Sequence, residues 1–239
     1  MDYEELNYGT MTREQQLQSS LAFPKLMRKV YLWMALAMVI TGLTSYYVAT
    51  SALMPIILTN QVLMWGLIIG ELALVFGLSA AINKLSLPVA TLMFVLYSVL
   101  NGATLSIIFL VYTQSSIVNV FLVTALTFSV MAAYGYFTKK DLTSWGRMLF
   151  MALIGLIIAS IVNIFLESSG MSLIVSFIGV LVFVGLTAYD SQKIKNMLVM
   201  APDAGEGMQK LALLGALTLY LDFINLFLYL LRLLGSSRD

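Results

Sequence analysis

A chain of 239 residues in which 60% are hydrophobic and 10% charged, with a mean hydropathy of +0.93, falls outside the range of water-soluble domains and reads as an integral membrane protein. The formal net charge of +1 supplies no basic stripe for nucleic acid. Neither cysteine nor histidine occurs, which excludes disulfides, zinc sites of Cys/His type, thiol chemistry and histidine acid–base work. Carboxylates remain as the groups able to titrate usefully, and no cofactor is implied.

The chain opens on MDYEELNYGTMTREQQLQSS, which is polar and acidic, unlike a cleavable leader, and predicts a cytoplasmic tail over residues 1–29. Apolar stretches long enough for a roughly 30 Å hydrocarbon core then follow, at 1.5 Å rise per helical residue. In chain order they are Val30–Ala52, Val62–Ala81, Leu87–Val111, Ser116–Thr138, Arg147–Phe165, Met171–Lys193 and Leu211–Leu234, leaving residues 235–239 as a short tail. Continuous apolar runs of this length predict helices and not the alternating strands of a barrel, so the fold class is an all-α polytopic membrane protein. Connections are short, except for NMLVMAPDAGEGMQK before the last span, where Pro, Gly and acidic residues mark a surface loop.

Lysine and arginine alternate by side. Arg13, Lys25, Arg28 and Lys29 precede the first span; Lys84 follows the second; Lys139, Lys140 and Arg147 flank the fourth connection; Lys193, Lys195 and Lys210 lie around the sixth. The connections between carry none, which places the N-terminus inside and, with seven complete spans, the C-terminus outside. Arg232 and Arg238 break this rule, so a shallow or re-entrant last span with both ends inside is the competing reading.

Three acidic residues fall within spans: Glu71, Asp190 and Asp222. An ionised carboxylate in hydrocarbon costs about 2.5–3.5 kcal/mol on insertion scales, which makes such residues functional candidates. Asp190, in FVGLTAYDSQKIK, has the plainer alternative of an interfacial carboxylate, since Lys193 and Lys195 follow closely. Asp222, in LYLDFINLFLYLL, is near the middle of its span, and Asn225 shares its helix face. For Glu71, a protonated carboxyl bonded to a neighbouring helix is as good a reading as a direct role. The pairs Gly66/Gly70 and Gly155/Ala159 have the spacing of close helix packing. Two intramembrane aspartates would also serve an aspartyl protease, but the contexts TAYDSQ and LYLDFI lack the glycine-rich setting of such enzymes. No G-x-S-x-G, H-E-x-x-H or phosphate-binding loop occurs, so the chain does not read as an enzyme.

Four segments, RKVYLWMALAMVITGLTSYYV, YGYFTKKDLTSWGRMLFMALIGLIIASIVNIFL, FVGLTAYDSQKIK and LYLDFINLFLYLLRLLG, together resemble the Bax inhibitor family, also called the transmembrane Bax inhibitor motif or YccA-like family. The resemblance covers nearly everything after Phe23. It implies six helices around a central, final helix, a bacterial cytoplasmic-membrane location, and a pH-sensitive calcium leak in which Asp190 and Asp222 form a facing pair. The basic residue that latches this pair in bacterial relatives falls on Ile82 here, with Lys84 the nearest substitute. Some relatives instead restrain a membrane-anchored AAA-type protease, or act in stress and cell-death pathways, for which the polar N-terminal tail would be a handle.

Two carboxylates in contact cannot easily both ionise, so such a pair holds one proton near neutral pH. That proton can bridge the two helices and keep a passage shut. Its loss would replace the bridge by repulsion and expose oxygen ligands suited to a hard cation such as Ca²⁺. Gate and ion site would then be one structure, with the bilayer, protons and calcium as its partners.

Overall fold

The computed structural model describes the backbone from Arg13 to Arg238 and side chains from Ser20 onward. Residues 1–12, which hold Glu4 and Glu5 of the expected tail, lie outside the described residues. The helices are α1 (Arg13–Thr50), α2 (Leu53–Thr59), α3 (Gln61–Ala81), α4 (Leu87–Leu105), α5 (Ile108–Val111), α6 (Gln114–Phe137), α7 (Thr143–Leu166), α8 (Ser169–Val199) and α9 (Glu206–Leu234). Among the described residues seven helical stretches are long and apolar enough to cross a membrane, with α4 and α5 together forming the third, Leu87–Val111.

Helices overrun the apolar windows where the chain leaves the bilayer. α1 has 38 residues, about 57 Å at 1.5 Å per residue, so it starts well inside the stretch expected to be tail. The ends of the spans follow local chemistry. Asn60 caps α3 by accepting from the Leu63 N–H at 3.0 Å, and Thr113 caps α6 by accepting from Ser116. Glu167 closes α7 in the left-handed region at φ 50°, with its N–H on the Asn163 carbonyl.

The outer faces carry large exposed apolar side chains such as Phe76, Phe137, Phe150 and Phe165, a surface that hydrocarbon solvates and water would not. Burial is least in the second and fifth spans, 6% of each, and greatest in the last, 67%, so α9 is the most enclosed of the seven.

Two compact units divide the chain. The first takes the chain up to Tyr47, Pro55–Thr104 and Lys193–Leu217. Within it Thr41 donates to the Ser98 carbonyl at 3.0 Å, and a Cβ on Gly102 would stand 2.6 Å from the Thr41 carbonyl oxygen, so α1 and α4 touch backbone to backbone. The start of α9 is fixed to the second connection: Glu206 accepts from the Leu87 N–H at 2.8 Å and Lys210 donates to the Leu85 carbonyl at 2.9 Å.

The second unit takes Val48–Met54, Leu105–Gln192 and the chain from Thr218 onward. Its interior is aromatic. Phe223 of α9 meets Phe121 and Phe128 of α6 edge-on at 5.4 and 5.5 Å, and Tyr229 stacks on Phe183 of α8 at 5.8 Å. At the far end of α9, Thr113 donates to the Ser236 carbonyl, Ser236 to the Ser116 hydroxyl, and the Arg238 N–H to the Val111 carbonyl.

Arg232 and Arg238, which broke the charge rule, are engaged by protein groups: the Arg232 guanidinium lies 5.7 Å from the Tyr229 ring centre and Arg238 donates to the Phe109 carbonyl.

The glycine pairs expected to mediate close packing do not. A Cβ on Gly66 or Gly155 would meet nothing within 4 Å, and one on Gly70 would make ordinary contact with Leu100 at 3.4 Å. Tight approaches fall instead at other glycines, among them Gly102 in the first unit and Gly135, Gly146, Gly179 and Gly185 in the second.

Candidate functional site

Asp190 is carried by α8 and Asp222 by α9, both in the second unit. Asp190 is 8% exposed and Asp222 5%, so neither is a carboxylate reaching out to headgroups. Their side chains are joined by a hydrogen bond. Two carboxylates offer four acceptors and no donor, so this bond requires a proton on one of the two groups. Asp222 Oδ2 is buried and has no hydrogen-bond partner among the described residues. Asp222 Oδ2 thus stands beside the Asp190 carboxyl unengaged by any described group.

The segment around Asp190 is fastened on each side. Ala188 lies against Gly135 of α6, where a Cβ would come 2.0 Å from the Ala188 carbonyl oxygen. Tyr189 covers Gly146 of α7, where a Cβ would come 2.3 Å from the ring. Ser191, fully buried, donates to the Ala132 carbonyl of α6 at 2.8 Å. Gln192 spans to the connection between α6 and α7: its Nε2 donates to the Lys140 carbonyl at 2.8 Å, and its Oε1 accepts from the Leu142 N–H at 2.9 Å. Four consecutive contacts thus lock α8 to the α6–α7 hairpin, with Asp190 in their midst.

Asp141 lies in the turn that Gln192 grips. Hydrogen bonds from Thr143, and to a smaller extent the Arg147 charge, hold its carboxyl below the usual carboxylate range. The stabilisation this confers is present above the ordinary carboxylate range and is lost as pH falls through the lowered value. The turn consequently keeps its charge throughout the neutral range.

The other residues singled out from sequence stand elsewhere. Glu71 belongs to the first unit, where Asn101 Nδ2 donates to it at 3.1 Å and the Thr104 hydroxyl donates as well. Both contacts run from α4 to α3, with the Glu71 carboxyl as acceptor. Asn225 donates to the Leu221 carbonyl of its own helix at 2.8 Å, which favours a local over a shared role. Lys84 is exposed in the turn after α3, in the first unit, and Ile82 is buried. Ser191, Gln192, Gly135 and Gly146 were not singled out as functional; they lie within quoted segments, but nothing in their spacing marks them as partners.

Comparison with known proteins now bears on this arrangement. The family described as inhibitor of apoptosis-promoting Bax1 matches residues 24–239. The chain belongs to the Bax inhibitor-1 family. It is 54% identical over 215 residues to the inner membrane protein YbhL of Escherichia coli K12, covering 89% of this chain and 92% of that one. A protein of Borreliella burgdorferi is 45% identical over 226 residues, covering 94% and 97% of the two chains. A membrane protein of Streptococcus pyogenes serotype M1 is 38% identical over 224 residues, covering 92% and 96%. Bax inhibitor-1 membership and seven apolar helices make this an integral membrane protein; the aspartate pair is the feature of the chain that the fold alone does not require.

Proposed function

We propose that the protein is a pH-sensitive leak for calcium in the bacterial cytoplasmic membrane, with the N-terminus inside, gated by the proton shared between Asp190 and Asp222. The observation that carries this reading is the hydrogen bond between two buried carboxyl groups on different helices. Such a bond exists only while the pair is singly or doubly protonated, so it ties closure to pH. Deprotonation of the remaining acid places two like charges side by side in a medium of low dielectric, and the helices separate.

The donor set suits passage and not storage. Among the described residues no group of three or more His, Cys, Asp or Glu side chains stands together. Calcium sites of high affinity collect six to eight oxygens with several carboxylates, whereas conduction needs a site weak enough to leave. Two carboxylates, one with a free Oδ2, meet the second requirement.

The test is calcium flux into proteoliposomes at pH 6 and pH 8. Wild type is expected to pass more calcium at pH 8, by up to about tenfold per pH unit, the limit for one titrating proton. Asp190→Asn is expected to pass calcium at a rate that no longer varies with pH. An Asp190→Asn protein with the wild-type pH response would remove the basis of the reading.

A further inference from the structure

We infer that Gln192 is the positioning residue of the aspartate pair, and that the connection between α6 and α7 is the support from which the gate is held; the inference rests on the proposed gating role of that pair. Gln192 is 7% exposed, and both ends of its amide are used on the same short turn, Nε2 on the Lys140 carbonyl and Oε1 on the Leu142 N–H. A single side chain that satisfies one donor and one acceptor of a backbone turn fixes both the height and the rotation of its own helix against that turn. Gln192 is two residues beyond Asp190, so the rotation it fixes sets the direction in which the Asp190 carboxyl points. Ser191 on the Ala132 carbonyl and the Gly135–Ala188 approach allow α8 no sliding relative to α6.

Asp222 is held differently. Its helix meets α6 through rings, Phe223 against Phe121 and Phe128 and Phe227 against Phe121, contacts that tolerate a tilt better than paired backbone hydrogen bonds do. The division of labour that follows is a fixed Asp190 and a movable Asp222, so that opening displaces α9 while α8 stays with the α6–α7 hairpin.

The charged groups on the elements around the pair fit this assignment. Lys139, Lys140, Asp141 and Arg147 at the hairpin are exposed, Lys193 and Lys195 follow on α8, and Arg232 and Arg238 belong to the opposite end of α9. The carboxyl group of the hairpin turn, Asp141, keeps its charge across the neutral range. The pH response therefore belongs to the pair, and the turn contributes position.

The experiment measures the pH profile of calcium flux in proteoliposomes for wild type, Gln192→Leu, Asp190→Asn and the double variant, with thermal unfolding in detergent confirming that each is folded. Gln192→Leu keeps the side-chain volume and removes both hydrogen bonds. It loosens the closed pair, so the second proton leaves more readily. Flux at pH 6 is expected to rise about fivefold, the scale of one typical hydrogen bond, and the midpoint to move to lower pH. In the Asp190→Asn background Gln192→Leu is expected to change nothing further. Should Gln192→Leu not fold, Gln192→Glu carries the same test, because it keeps the acceptor for Leu142 and turns an oxygen toward the Lys140 carbonyl. A folded Gln192 variant with the wild-type profile overturns the inference, as does a shift that persists without Asp190. An unchanged profile in Asp190→Asn alone is a separate result, which removes the pair as sensor and the positioning role with it.

Discussion

Asp222→Leu and Asp222→Asn are expected to abolish the pH dependence of calcium flux in opposite directions, the first leaving the passage leaky at pH 6 and the second leaving it shut at pH 8. Both variants remove the shared proton, but they differ in what replaces it. Leucine keeps the branched shape of aspartate in a larger, apolar side chain with no donor, so no bond joins α9 to Asp190 at any pH, and Asp190 is left as a buried acid without its partner. Asparagine donates an N–H to the Asp190 carboxylate without borrowing a proton, so the bridge survives the loss of every titrating hydrogen. The sign follows from the closed form being the protonated one: wild-type flux climbs as pH rises and the proton leaves. Over two pH units the wild-type ratio can approach about a hundredfold for a single proton, and in both variants it is expected to fall near one. Flux that responds to pH in both variants as in wild type would show that the bond between these carboxyls is not the closure.

How much of this was legible before the structure depends on which force wrote the signal. Lipid requires about 20 predominantly apolar residues in each span, so all seven spans are readable from hydropathy. Their ends are not, because hydropathy marks where hydrocarbon stops and a helix continues past it. α1 therefore begins at Arg13 and not near Val30, α8 runs on to Val199, and α9 starts at Glu206 and not Leu211. The buried acids stood out for the same energetic reason. Their pairing did not, since Asp190 and Asp222 lie on different helices and spacing within one chain cannot bring two helices together; it came from the family resemblance. Small-residue spacing misled. Gly155 and Ala159 share a face, yet a Cβ on Gly155 meets nothing, while Gly135 touches backbone. Which glycine a neighbour approaches is decided by that neighbour, and Gln192 was hidden likewise, as one more polar residue beside two lysines where α8 leaves the bilayer.

Gly135→Ala should be among the most destabilising single changes in the second unit, and Gly155→Ala should be harmless. At Gly135 the added Cβ would stand 2.0 Å from the carbonyl oxygen of Ala188, 2.8 Å from its carbon and 2.9 Å from its Cα. All three are backbone atoms of α8, so no rotamer change relieves the overlap, and α6 and α8 must part. Parting strains the Ser191 bond to Ala132, one turn away on α6, and displaces Asp190, two residues beyond Ala188. Overpacking of a closed contact costs about 1–3 kcal/mol, and one against immovable backbone belongs at the top of that range. At about 2–4 °C per kcal/mol for a chain of this size, the melting temperature in detergent is expected to fall by about 6–12 °C. Gly155 faces open space on α7, where alanine is the better helix former by about 1 kcal/mol, so its melting temperature should hold or rise slightly. Because helix propensity favours alanine equally at both positions, the difference between the two variants isolates the α6–α8 approach. Equal melting of the two proteins would mean that these helices do not lie backbone to backbone, and α8 would then have no rigid seat from which to present Asp190.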